Sequence, residues 1–196
     1  MTSREKILSA VKTNQPDLAT LPDVDCLLQE ESDVPEKFIA ALTAIGGQVI
    51  MVEDHDAIKA FIAENFKHPS RKITTVSELA DVAEYIEDNS ANPHSLENVD
   101  YTIIQADLAV AENGAIWVNE DKIRTRVLPF ITQHLAVVVR REDIVPTMHQ
   151  AYNKIGSNDY GFATFIAGPS KTADIEQSLV LGAHGARSMT VFLISE

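Results

Sequence analysis

The sequence predicts an α/β fold: a mainly parallel sheet flanked by helices, with an N-terminal helix ahead of it. Three observations carry this. From residue 33 onward, helical segments alternate with short apolar strand segments, the pattern left when helices cover a parallel sheet. The chain has 196 residues, 45% hydrophobic and 23% charged, which suits one substantial soluble domain. No internal repeat, low-complexity tract or linker breaks the alternation.

The elements follow in order. The segment SREKILSAV puts Ile7, Leu8 and Val11 on one helical face, with Thr2 or Ser3 as the cap. Residues 14–33 mix prolines, acids and isolated apolar residues without a period and read as a long connection. The domain boundary is therefore placed between an N-terminal helix and connection, 1–33, and a single domain, 34–196. A helix over 34–46 has Pro35 in its first turn and a glycine stop. Then come a strand over 48–52, a helix over 54–66, a strand over 72–76, an acidic helix over 77–89 and a polar turn over 90–95. The second half offers a strand over 100–106 and a hairpin over 108–119 turning near Asn113-Gly114. A strand over 134–139, a helix over 142–155, a strand over 161–167, a helix over 172–182 and a last strand over 188–194 complete the prediction.

Composition excludes several function classes. The net charge of -13 argues against nucleic-acid binding, which needs a concentrated basic face. Residues 1–100 hold 19 acids against 8 bases, and residues 101–196 hold 10 against 8, so Lys122, Arg124, Arg126, Lys171 and Arg187 lie where the negative background is weakest. An anionic small molecule is tolerated there. No apolar run approaches a membrane span, and the segment MTSREKILSAVKTNQ lacks the apolar core of a secretory signal, so a cytoplasmic protein is expected. The single cysteine, Cys26, excludes an internal disulfide and cannot by itself hold a zinc or iron–sulfur centre. His55, His68, His94 and His149 show no paired metal-ligand spacing, so no metal is expected, and no P-loop, nucleophile elbow or dinucleotide fingerprint is present.

Four stretches carry candidate chemistry. In FIAGPSKTADIE a strand runs into Gly168-Pro169-Ser170-Lys171-Thr172 at the start of the predicted helix, where unpaired N–H groups, two hydroxyls and one cation converge. Asp174 and Glu176 would then stand in the first helical turn, favourable with the helix dipole but adverse to a bound phosphate on their own side. The stretch serves equally as a helix cap or as a ligand loop. In GAHGAR, glycines bracket His184, which is either a displayed acid, base or donor or an exposed loop histidine. In the hairpin, Glu112 beside the Asn113-Gly114 turn is either a reaching carboxylate or an ordinary exposed acid. Arg124, Arg126 and His134 around Pro129 form either an anion-contacting loop or a solvated connection.

The string GPSKTADIEQSLVLGAHGAR resembles the signature of the lactate utilization protein C family, the LUD-domain proteins, in which Gly-Pro-Ser, a spacer, Asp-Ile-Glu and Gly-x-His-Gly occur in this order. ADLAVAENGAIWV is similar to the family's Ala-Glu-Thr-Gly-Thr segment, and LPFITQHLAVVVRREDIV to its Leu-Pro segment, strand and Ile-Val start. The resemblance covers roughly residues 34–196, with residues 1–33 like the family's variable N-terminal helix. It implies a sugar-isomerase/CoA-transferase-like fold and a part in oxidising L-lactate to pyruvate beside iron–sulfur partner proteins, with no cofactor in this chain and the clusters on the partners. It also implies one site. Glu112 and His184 are its catalytic candidates. Gly114, Gly168, Pro169, Ser170, Lys171, Thr172, Asp174, Gly182 and Gly185 are its ligand-binding candidates, for a small carboxylate or phosphate-bearing ligand.

In that assignment Ser170, Lys171 and the backbone after Gly168 hold the anion, Glu112 is a general base or acceptor, His184 orients or protonates the ligand, Asp174 steadies the His184 loop and Glu176 serves the helix dipole. The chain departs from the family pattern at Asn113 and Ala115, at Phe130 where an acid is frequent, and at Ala186 where a proline is frequent. Losing hydroxyls and a carboxylate changes what a pocket can hydrogen-bond. Two other readings remain open at this point: a free-standing enzyme of the same fold acting on a phosphosugar or acyl-CoA, and a non-catalytic metabolite-binding assembly protein.

Overall fold

The structure is a computed structural model that describes residues 2–20, 22, 32–66, 71–87, 92–157, 159–175, 178–182 and 184–195. The chain divides into two compact units, Met1–Glu31 and Ser32–Glu196. In the first, helix α1 (Ser3–Thr13) is closed by a capping box: the Thr2 hydroxyl accepts from the Glu5 N–H at 3.3 Å and the Glu5 carboxylate accepts from the Thr2 N–H at 2.6 Å. Its apolar residues Ile7, Leu8 and Val11 are exposed. Half of the predicted 14–33 connection, including Cys26, lies outside the described residues.

The second unit begins with α2 (Val34–Ala44), β1 (Gln48–Val52), α3 (His55–Asn65), β2 (Lys72–Thr74), β3 (Glu84–Tyr85) and β4 (Tyr101–Gln105). It continues with β5 (Leu108–Val110), β6 (Ile116–Asn119), α4 (Glu120–Ile123), α5 (Leu128–Ile131), β7 (His134–Arg140), β8 (Ile144–Val145) and α6 (Met148–Ile155). It ends with β9 (Ala163–Ile166), β10 (Lys171–Ile175), β11 (Ser178–Leu181) and β12 (Ser188–Ile194). Six strands in the order β1-β12-β7-β4-β2-β3 form a wholly parallel sheet. A mixed sheet, β8-β5-β6-β9, lies beside it, and β10 and β11 make a separate hairpin.

Side-chain alternation explains the layering. Leu135, Val137 and Val139 of β7, with Met189, Val191 and Leu193 of β12, share a core with Phe38 and Leu42 of α2 and with Ala109, Ile116 and Val118 of the mixed sheet. The intervening residues Ala136, Val138 and Phe192 meet Ile58 and Ile62 of α3. Burial on both faces is why these strands read as continuous apolar runs. The outer face of the mixed sheet, Leu108, Val110 and Trp117, packs on Ala151 and Ile155 of α6. Among the described residues no helix is long and apolar enough to cross a membrane.

The architecture is the predicted one, and three predicted helices are corrected. Over 77–89 a single 3-10 turn, Ser77–Leu79, is followed by edge strand β3. Leu79, Val82 and Ile86 recur at helical spacing, yet Tyr85 suits a strand, and the pairing of Glu84 and Tyr85 with β2 wins. Over 142–155, Ile144–Val145 pairs in parallel with β5, and Pro146, unable to continue a helix, delays α6 until Thr147 caps it. Over 172–182 the chain is the β10–β11 hairpin and not a helix.

Arg71 ties the far edge of the sheet together. Its Nε and Nη2 each lie 3.0 Å from a Glu84 carboxylate oxygen, and Nη1 donates to Asn98 Oδ1 at 2.8 Å and to the Ser95 carbonyl. The hydrogen bond from Arg71 holds the Glu84 carboxyl below its ordinary value of 4.5. A depressed carboxylate contributes stability that is present above its unfolded value and is lost as pH falls through its folded value. Arg71→Ala should therefore cost stability at neutral pH, with the gap to the native chain narrowing as the pH falls below the ordinary carboxylate value of 4.5 in urea titrations. A gap independent of pH would remove Glu84 from the account.

Candidate active site

The GPSK stretch and the His184 loop meet because the hairpin between them starts and returns at one residue, Ser170. The Ser170 N–H donates to the Ala186 carbonyl at 2.9 Å, and the Gly182 N–H donates to the Ser170 carbonyl at 3.1 Å. Lys171 pairs with Leu181 and Thr172 with Val180 in between. Gly168, at φ 73°, allows the approach: a Cβ there would stand 3.0 Å from the Ile45 carbonyl oxygen just past α2. Gly185 sits against Ser170, where a Cβ would come within 3.2 Å of the Ser170 Cβ.

These loops enclose a cavity of about 300 Å³ with two kinds of wall. Ser170, Lys171 and His184 supply its polar side chains, and Pro129, Phe130, Leu135, Ile166 and Ala186 much of its apolar surface. No carboxylate is among the lining side chains of the described residues. The Lys171 ammonium donates to the Ile45 carbonyl, at the negative end of the α2 dipole, which fixes it at the cavity edge. His184 is exposed.

The structure thus gathers Gly168, Pro169, Ser170, Lys171, His184 and Gly185 at one cavity, with Gly182 holding the loop behind it. Three expectations change. With β10 in place of a helix, no helix N-terminus exists here to bind an anion, and neither Ser170 nor Thr172 caps one. The dipole account of Asp174 and Glu176 lapses for the same reason: Asp174 lies in β10, and Glu176 lies outside the described residues. Thr172 is paired in the hairpin and does not line the cavity.

Glu112 and Gly114 occupy the β5–β6 turn. The Glu112 carboxylate accepts from the Met148 N–H at 2.8 Å and so caps α6; it is not among the cavity's lining residues. Gly114, at φ 70°, packs on α2, where a Cβ would fall 2.8 Å from the Leu42 nitrogen. Leu42 and Ile45 are about 4.5 Å apart along the helix direction, so α2 is the surface that both site loops press on.

Sequence reasoning missed the apolar wall. Phe130 and Ala186 stood out only as departures from a family pattern, yet both line the cavity. The available signal was the Leu-Pro-Phe string at a short helix, α5, directly before the buried strand β7.

The LUD domain pattern matches residues 76–194, well over half of the chain. The chain belongs to the LUD domain family. The match includes β10, β11 and the cavity loops just described. Among curated proteins, this LUD-domain chain is 32% identical over 106 residues to a lactate utilization protein C of Bacillus pumilus, covering 51% of this chain and 44% of that protein. It is 30% identical over 104 residues to that of Oceanobacillus iheyensis, covering 50% and 45%. The chain thus matches less than half the length of these relatives. A crystal structure of a DUF162 family protein from Deinococcus radiodurans superposes with a TM-score of 0.61 at 18% identity, over 83% of this chain and 96% of that one. At that identity the likeness concerns the fold, the parallel sheet between helices.

Proposed function

We propose that the cavity at Ser170 and His184 binds a small hydroxy- or keto-acid, and that the chain serves lactate utilization as a LUD-domain subunit in the oxidation of L-lactate to pyruvate. The observation that carries this reading is the two-sided wall: Ser170, Lys171 and His184 meet a carboxylate, while Phe130, Ile166 and Ala186 meet a methyl group. Phe130 matters most. Where an acid is frequent in the family this chain has a ring, so nothing on that wall repels an anion. The names of the curated relatives point the same way.

The oxidation releases two electrons and two protons from L-lactate. In this proposal iron–sulfur partner proteins in the cytoplasm take the electrons, since the chain's single cysteine cannot ligate a cluster. Ser170 and Lys171 bind the carboxylate, His184 orients the hydroxyl and accepts its proton, and the proton from Cα passes to water as the electron pair leaves for the partners. Glu112, which accepts from the first N–H of α6 beside the Thr147 cap, ties the hairpin to that helix and stands outside the proton path.

Calorimetric titration of the full chain with L-lactate and pyruvate tests the site. Ser170→Ala and His184→Ala should each weaken binding by about tenfold, the loss of roughly 1.4 kcal/mol expected for one hydrogen bond to a charged group. Affinities unchanged in both variants, or binding of only a phosphosugar or acyl-CoA, would overturn the reading.

A further inference from the structure

At the opposite end of the parallel strands, Arg124 is held in a conformation that an arginine rarely adopts. It lies at φ 58°, ψ -52°, and the Thr125 N–H donates to the Ile123 carbonyl across it at 2.6 Å. This is a γ-turn of the rare, strained hand. Such strain persists only where the surroundings impose it, and it concentrates at binding sites. The side chain gains no partner from this arrangement: the Arg124 Nε is buried without a hydrogen bond, and among the described residues no carboxylate pairs with its guanidinium. The Thr75 hydroxyl is unpartnered as well, in a residue only 8% exposed.

Both groups line one crevice of about 370 Å³, together with Ser77, Tyr85, Gln105 and Lys122. It opens beyond the carboxyl ends of the adjacent parallel strands β2 and β4. From β2 the chain proceeds outward to β3, and from β4 it turns back through the mixed sheet to β7. Neighbouring strands whose continuations diverge leave a gap at their carboxyl ends, where α/β sheets bind ligands. The Lys122 ammonium, 3.5 Å from Gln105 Oε1, sits on the same wall as Arg124.

We propose that this crevice is a second ligand site, which binds an oxyanion group, carboxylate or phosphate, in the fork of Arg124 with Lys122 and the Thr75 hydroxyl. A guanidinium N–H left buried and unpaired is costly, and a planar or tetrahedral oxyanion placed in the fork satisfies it while pairing with a second N–H. Glu78 and Asp121 also line the crevice, and Glu78 accepts from the Ser77 hydroxyl at 2.8 Å. Negative charge is therefore favoured only at the Arg124 end, and the rest of the ligand presents hydrogen-bond donors to these acids. The proposal is independent of the Ser170 cavity.

Calorimetric titration of the full chain with inorganic phosphate and, separately, with malonate tests it. One probe or both should bind saturably, and the stronger names the oxyanion class. Arg124→Gly should weaken that binding by about tenfold or more, while the unliganded variant melts no lower than the native chain because glycine accepts the turn without strain. Lys122→Met, which leaves the turn intact, should weaken the same probe, and Ser170→Ala should leave the Arg124-dependent binding unchanged. The proposal fails if neither probe saturates, if Arg124→Gly and Lys122→Met bind like the native chain, or if Ser170→Ala rather than Arg124→Gly removes the binding.

Discussion

Gly114→Ala should destabilise the Ser32–Glu196 unit by about 2–5 kcal/mol, combining the strain of a side chain at positive φ with overpacking against a helix. The added carbon would stand 2.8 Å from the Leu42 nitrogen and 2.9 Å from its Cα. Backbone atoms of a buried helix cannot step aside as a side-chain tip can, so the hairpin must lift off α2. Gly47 provides the control: a Cβ there meets Leu42 Cδ1 at 2.6 Å, the end of a flexible side chain. Gly47→Ala should be partly rescued by Leu42→Val, and Gly114→Ala should not. Urea midpoints of the three single and two double variants decide this; equal rescue of both glycine variants would mean that the hairpin yields more readily than the packing indicates.

Phe192→Ala should cost about 3–5 kcal/mol, the range for removing a fully buried ring. Phe192 is 0% exposed, lies on β12 between β1 and β7, and meets Phe61 of α3 edge-on at 5.3 Å between ring centres. The edge-to-face pair adds about 0.5–1.5 kcal/mol beyond area burial. Phe192→Leu, which keeps most of the volume, should lose much less. If the two substitutions shift the urea midpoint equally, the ring pair contributes little and burial of the first carbons carries the stability.

Much of this fold is legible in the sequence because parallel strands buried on both faces leave unbroken apolar runs. The stretches ending up as β4, β7 and β12 show this plainly, and Pro35 and Thr2 mark helix starts that the structure keeps. The errors share one cause, local pattern outvoted by partners elsewhere in the chain. The segment after Ser170 has the acids of a helix start, but the glycines at 168 and 182 allow both ends to close on Ser170, and the span between them pairs with itself. The segment after Ser77 has helical spacing, but the free edge of β2 recruits it. The candidate site was legible in its polar half, Ser170, Lys171 and His184. Its apolar half was not, because Phe130, Leu135 and Ala186 come from separate elements whose meeting only the topology decides. Arg124 was visible as a cation, but nothing in its neighbours announces a left-handed backbone at a non-glycine residue.

Strand β7 runs the full depth of the sheet, and its two ends face different compartments. Leu135, near its start, lines the Ser170 cavity, while Val138, Val139 and Arg140, at its finish, line a crevice that shares Glu78 and Gln105 with the walls around Arg124. Six residues of extended chain separate the ends by about 20 Å. At that distance, with no shared side-chain partner, changes at one end add to changes at the other instead of interacting. A polypeptide built this way can alter the chemistry of one opening by substitution while the other keeps its affinity, so each is free to drift under its own selection.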